Sequence, residues 1–254
     1  CKIKEEIIKN EDIMSKNILI LQHINIETPG YILDLMKKDK FNLTTIELDE
    51  GETIPSKLDQ FDGMFCMGGP MDTWMEEDYP WLIDEKNKIK EFVVDLEKPY
   101  LGFCLGCQLL GEVVGGNVVK SNHPEIGILD ITMSDAYSND HLFGEFSSAI
   151  KALQWHSYEV QNLESNNDVT LLGSSPTTKY QIFKYKNHAY GIQFHIEIKD
   201  TTVSDWACVP EYESALEDSL GKGALKKFDK IAQENMSMMN FNAKTLYNNF
   251  KKIL

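Results

Sequence analysis

Residues 100–116 read Y-L-G-F-C-L-G-C-Q-L-L-G-E-V-V-G-G. Tyr100 to Phe103 is an apolar run of buried-strand length. Cys104 follows it at once, helical spacing continues through Val114, and Gly115-Gly116 ends the helix. Upstream, Asn17 to Gln22 is a second short apolar run, and Thr28-Pro29-Gly30 breaks it from an amphipathic stretch over Tyr31 to Lys38. Thr44 to Leu48 and Gly63 to Met67 read as strands, and Pro80 to Leu96 as a helix. Strands alternating with helices predict an α/β fold with a mainly parallel central sheet covered by helices. Downstream the texture changes to short strand-like segments: Asn117 to Lys120, Gly127 to Met133, Ala152 to Trp155, Val169 to Gly173, Tyr180 to Tyr185 and Ala189 to Phe194. These predict small antiparallel additions. Helical signals dominate from Asp205, with Glu211 to Leu220 and Ala224 to the end.

The expected organisation is a charged leader over residues 1–13 outside the fold, with Met14 as a natural start. A catalytic domain then spans 14–200, and a helical extension over 201–254 packs on the same domain. A chain of 254 residues with 42% hydrophobic composition can bury a substantial core. Its net charge of −15 argues against a nucleic-acid partner, which needs clustered Lys and Arg. Small-molecule chemistry is the better expectation. Acids concentrate in 200–218 and lysines in 222–254, a pattern that exposed helix faces explain. Five irregularly spaced cysteines do not make a secreted disulfide framework and fit a reducing cytoplasm. No apolar run approaches the roughly 20 residues a bilayer requires, and no signal-peptide core is present, so no membrane is expected.

The chemistry centres on Gly102-Phe103-Cys104-Leu105-Gly106. A cysteine at a strand-to-helix corner between glycines has the mechanics of a nucleophile elbow, and the helix N-terminus favours the reactive thiolate. A buried structural cysteine beside packing glycines reads equally well from these five residues. Two other segments shift the balance. Gly191-Ile192-Gln193-Phe194-His195-Ile196-Glu197 puts a histidine and a carboxylate on one side of a strand end, where they could meet the cysteine as a base and its orienting group. In Met67-Gly68-Gly69-Pro70 the glycines would let a backbone N–H approach a developing oxyanion, with the N–H of Leu105 as second donor. Alternatives are a redox protein built on Cys104-x-x-Cys107, or a non-catalytic binding protein. No histidine and cysteine cluster has zinc spacing, so neither metal nor cofactor is expected.

Taken together, Gly68-Gly69-Pro70, G-F-C-L-G with Gln108, and G-I-Q-F-H-I-E resemble the signature regions of the class I glutamine amidotransferases, in that family's order. The opening L-Q-H-I-N-I-E-T-P-G, H-P-E-I-G at 123–127 and W-H at 155–156 are similar to the subgroup related to the glutaminase domain of GMP synthase, which includes stand-alone γ-glutamyl peptidases. The resemblance covers about residues 17–200 and implies a flavodoxin-like fold. It implies that Cys104 attacks a γ-glutamyl amide, that His195 moves the proton, that Glu197 orients the imidazole, and that a γ-glutamyl thioester forms. It assigns the oxyanion hole to Gly69 and Leu105. Substrate contacts fall to Gly68, Gln108 and Gln181, with Trp155 and His156 in a loop flanking the amino-acid end. Partners would be glutamine or a γ-glutamyl small molecule, and a separate synthase chain if the protein donates ammonia. Two departures stand out. Ile196 replaces the family's proline. Tyr158 stands where the family carries an acid for the substrate's α-ammonium, with Glu159 one step later, which implies weaker recognition of free glutamine than of a substituted γ-glutamyl compound.

Overall fold

The computed structural model describes residues 15–254; the leader and Met14 lie outside the described residues. In β1 (Asn17–Gln22) Ile18 and Ile20 belong to one apolar core and Leu19 and Leu21 to another, and all four are fully buried. A strand greasy on both faces is one that helices cover from both sides. β1 lies between β2 (Asn42–Glu47) and β3 (Gly63–Cys66), and β4 (Tyr100–Phe103) and β9 (Ala189–Ile192) complete a parallel set in the order β2-β1-β3-β4-β9. The sheet continues antiparallel through β8 (Ile182–Tyr185), β7 (Val169–Ser174), β5 (Asn117–Met133) and β6 (Ala149–Gln161). This is the flavodoxin-like α/β architecture expected, extended by four antiparallel strands.

Helices α2 (Trp81–Lys90) and α3 (Leu105–Val113) cover one face, and α1 (Gly30–Lys38) packs with α6 (Leu225–Phe250) on the other. Phe228, Ala232, Met239, Ala243, Leu246, Tyr247 and Phe250 form the buried stripe of α6, at the spacing of one helix face. Near its end Phe250 meets Phe65 of β3 edge-on at 5.2 Å, and both Tyr247 and Lys251 bind the Asp39 carboxylate, at 2.8 and 2.6 Å. Along the chain, α4 (Thr202–Trp206) and α5 (Pro210–Leu220) follow β9 and precede α6; α4 packs on α6 and α5 on β5 and β6. Among the described residues no helix is long and apolar enough to cross a membrane.

Two segments differ from expectation. The helix read over Pro80 to Leu96 is α-helical only to Lys90; Glu91–Asp95 widens into a π turn, closed by the Leu96 N–H donating to the Glu91 carbonyl. Such a turn keeps the apolar spacing, so periodicity does not reveal it. Asn117 to Lys120 and Gly127 to Met133 are one strand, β5, whose register against β6 slips between Lys120 and Glu125. The polar stretch at the slip hid their continuity.

Candidate active site

β4 ends at Phe103, and the Cys104 N–H still donates to Ile192 of β9 at 2.8 Å, so the cysteine is held by the sheet while α3 begins at the next residue. Its backbone is forced to φ +50°, ψ −105°, outside the comfortable range of a residue with a Cβ. The bend is close-packed: a Cβ on Gly102 would overlap the Gly106 carbonyl, and one on Gly106 would overlap the Cys66 carbonyl. That steric demand explains the G-x-C-x-G pattern.

Beyond β9, His195 is pinned by a two-way backbone bridge to Leu153 of β6, at 2.9 and 3.0 Å. Its Nδ1 lies 2.6 Å from Glu197 Oε1, and the other Glu197 oxygen accepts the Ile196 N–H at 2.9 Å. The ring stacks near Phe103 and meets Trp206 of α4 edge-on at 4.6 Å. Its remaining nitrogen faces Cys104. Burial acts to lower the His195 pKa, but the Glu197 carboxylate and the neighbouring Cys104 sulfur outweigh it and hold the imidazole well above its usual range. A thiol beside such a ring can pass its proton across without solvent.

A cavity of about 240 Å³ opens over Cys104. Gly69, Leu105, Gln108, Trp155, His156 and Tyr158 all line it. Neither the Gly69 nor the Leu105 N–H has an acceptor among the described residues, and both are thus free to meet a negative oxygen. Gly68 lies just behind, where a Cβ would come within 3.4 Å of the Cys104 Cβ. The Gln108 amide is shared between the Tyr158 carbonyl and Gln193, each at 3.2 Å.

The structure does not bring Gln181 to this cavity. It is fully buried, donates to Glu125 at 2.5 Å and accepts from Gln154 at 2.8 Å, so its polar atoms are committed behind the wall. Trp155 and His156 sit on β6, not in a loop: the antiparallel extension curls their strand against the site. His156 pairs with Glu125 at 3.1 Å. Burial favours the protonated acid, but hydrogen bonds from His156, Ser175 and Thr177 prevail and hold Glu125 down at about 2. Glu159 is buried with Gln161 on its carboxylate, away from the cavity wall.

Sequence reasoning missed several participants. Asp72, two residues past Pro70, lines the cavity, and burial raises its carboxyl to about 6 despite Lys120 nearby. Its place in the same loop as Gly69 was the available signal. From α5, Glu211, Tyr212 and Ala215 close the far side, which no local pattern announced. Tyr212 accepts the Trp155 indole N–H on its carbonyl at 3.2 Å and donates its hydroxyl to Glu27, a buried carboxyl whose pKa burial raises. His23, Cys66 and Glu85 bring three ligand-type atoms within 4.8 Å, yet they are already hydrogen-bonded among themselves and lie off the cavity.

Residues 31–205 match the family described as glutamine amidotransferase class-I. The chain therefore belongs to the class I glutamine amidotransferases and is an enzyme of that class. It is 28% identical over 221 residues to a glutamine amidotransferase-like protein, YfeJ, of Salmonella typhimurium, covering 86% of this chain and 90% of that one. It is 32% identical over 146 residues to the glutamine-hydrolysing GMP synthase subunit of Sulfolobus acidocaldarius, covering 57% of this chain and 72% of the relative. Among solved structures, a glutamine amidotransferase from Thermotoga maritima superposes with a TM-score of 0.81 at 26% identity, over 92% of this chain and 97% of that one.

Proposed function

We propose that the protein hydrolyses a γ-glutamyl amide, glutamine or a γ-glutamyl compound, through a thioester on Cys104. One observation carries this reading: the thiol at the strained corner faces an imidazole whose other nitrogen is held by Glu197 at 2.6 Å. His195 takes the thiol proton as sulfur bonds to the γ-carbonyl carbon, and the carbonyl oxygen gains charge opposite the Gly69 and Leu105 amides. The proton passes to the departing nitrogen, the C–N bond breaks, and ammonia or an amine leaves. Water then attacks the thioester, His195 accepts its proton, and the returning proton regenerates the thiol as the γ-carboxylate departs.

Residues 14–200 serve as the catalytic domain, and 201–254 as an extension of that domain which completes the site. Glu211, Tyr212 and Ala215 of α5 wall the cavity, and Trp206 braces His195. A site closed by its own chain supports self-sufficient hydrolysis. The relatives that are synthase subunits favour a second reading, in which ammonia passes to a separate synthase. The acid absent at Tyr158 has a substitute in Asp72, whose carboxylate suits a substrate α-ammonium. Cys66, Cys104, Cys107 and Cys208 are free thiols, which supports a reducing cytoplasm as the working compartment.

The test treats the protein with 6-diazo-5-oxo-norleucine and maps the adduct by mass spectrometry, while glutamate and ammonia release is measured on the protein alone. Labelling at Cys104 with partner-free turnover supports hydrolysis. Labelling without turnover transfers the case to the synthase reading, and an alkylatable but unlabelled Cys104 sinks both.

A further inference from the structure

Behind the Gly68-Gly69 loop, and off the cavity, His23 is fully buried and bridges two acceptors: Nδ1 lies 3.0 Å from the Gly68 carbonyl and Nε2 lies 2.8 Å from Glu85 Oε1. A carbonyl oxygen can only accept, so Nδ1 carries a hydrogen. The proton on the other side is shared between Nε2 and Glu85, and in either arrangement the Nδ1–H donates to Gly68. The Cys66 thiol also donates to Glu85, at 3.4 Å, and Trp81 lies against the His23 ring with centroids 5.6 Å apart, so the imidazole has a fixed seat.

The Gly68 carbonyl belongs to the same peptide unit as the Gly69 N–H. That unit is planar, no cis peptide occurs among the described residues, and in a trans unit the C=O and N–H point in opposite directions. Fixing the oxygen toward His23 therefore fixes the hydrogen toward the side away from His23, and Gly69 lines the cavity that opens over Cys104. Two consecutive glycines have no side chains to hold the plane, and among the described residues the hydrogen bond on the Gly68 carbonyl comes from His23. Larger residues do not fit, since a Cβ on Gly69 would stand 2.8 Å from the His23 Cβ. A donor on the carbonyl also polarises the amide and strengthens the N–H as a donor.

We propose that His23, seated by Glu85, is a positioning residue that aims the Gly69 N–H at the oxyanion. It acts through the Gly68 peptide and touches no substrate. The inference rests on the hydrolase reading above and adds to it a residue that acts on the transition state and not on substrate binding.

The test compares purified full-length His23→Leu, His23→Asn, Glu85→Gln and Cys104→Ser with the unaltered protein. His23→Leu should lower kcat for γ-glutamyl amide hydrolysis on the order of 100-fold with KM within about threefold, because a mis-aimed oxyanion donor costs the transition state alone. Alkylation of Cys104 by iodoacetamide should keep its rate, since that displacement at carbon develops no oxyanion. His23→Asn, whose amide nitrogen can stand where Nδ1 stood, should recover most of kcat. A folded His23→Leu enzyme with kcat within threefold, or equal losses in both His23 variants together with slowed alkylation, overturns the proposal. Should His23→Leu not fold, Glu85→Gln decides: its amide meets the ring without the carboxylate's charge, so the Nδ1–H donates more weakly and kcat should fall about tenfold with KM and alkylation unchanged, whereas kcat within threefold, or a fall matched by slowed alkylation, overturns it. Cys104→Ser separates the two layers: inactivity there with normal His23 variants defeats this inference alone, whereas unchanged turnover there defeats the hydrolase reading and this inference with it.

Discussion

His195, just past β9, and His156, on β6, each pair with a buried glutamate beside the same cavity, yet they use the second ring nitrogen differently. His195 gives Nδ1 to Glu197 and turns Nε2 to the Cys104 thiol, a group that can give up a proton. His156 gives Nε2 to Glu125 and Nδ1 to the Tyr158 carbonyl at 2.9 Å, which can only accept. The carboxylates differ in the same way: Glu197 serves His195 and one backbone N–H, whereas Glu125 also accepts from Ser175, Thr177 and Gln181. A histidine–glutamate pair is therefore not in itself machinery. The third partner, a thiol in one case and a carbonyl in the other, sets whether the ring is placed to exchange a proton or is tied to the wall.

Altering each side in turn can break this contrast. Cys104→Ser should lower hydrolysis by about 10⁴-fold or more and abolish labelling by the glutamine analogue, with unfolding unchanged. Glu197→Gln should cost on the order of 10³-fold in kcat, by releasing the ring from its working tautomer. Glu125→Gln should leave kcat within about tenfold but cost about 3 kcal/mol of stability, read by denaturant unfolding near neutral pH. Because the folded Glu125 pKa of about 2 lies below its ordinary 4.5, that stabilisation is complete above pH 4.5 and disappears as pH falls toward 2. The gap between the two proteins should close over that window; a constant gap would mean that packing, not the charge, was lost.

A finer test concerns recognition. Asp72→Asn should raise KM for glutamine roughly tenfold and leave that for glutaramate, which lacks the α-ammonium, unchanged. In the unaltered protein the same KM should climb as pH drops through about 6, where Asp72 takes up a proton. Smallest of all, Cys107→Ala should keep turnover within about threefold. Burial pushes this thiol well above its usual range, one turn into α3, which makes it a poor redox partner.

Much of this arrangement was legible in the chain because sterics write it locally. Gly102 and Gly106 are required by carbonyls they nearly touch, and His195 and Glu197, only two apart in the chain, meet at 2.6 Å even though the strand itself ends at Ile192. The parallel strands were legible as continuous apolar runs. What escaped depends on distance along the chain. Tyr212 reaches the cavity only because α5 folds back over β6, and Gln181 is drawn off to Glu125 by a sheet curl that no segment encodes alone. Asp72 was passed over because an acid in a loop ordinarily faces water.

The bend at Cys104 has a thermodynamic corollary. A side-chain-bearing residue held at φ +50° costs on the order of 1–3 kcal/mol, which the surrounding strands and the close-packed glycines must overcome each time the chain folds. Glycine at 104 would remove both the thiol and the steric penalty, so the Cys104→Gly protein should melt at a higher temperature than the unaltered one. The corner thus stores a local cost that a smaller residue would release, and the thiol and the fold's own preference pull in opposite directions at this position.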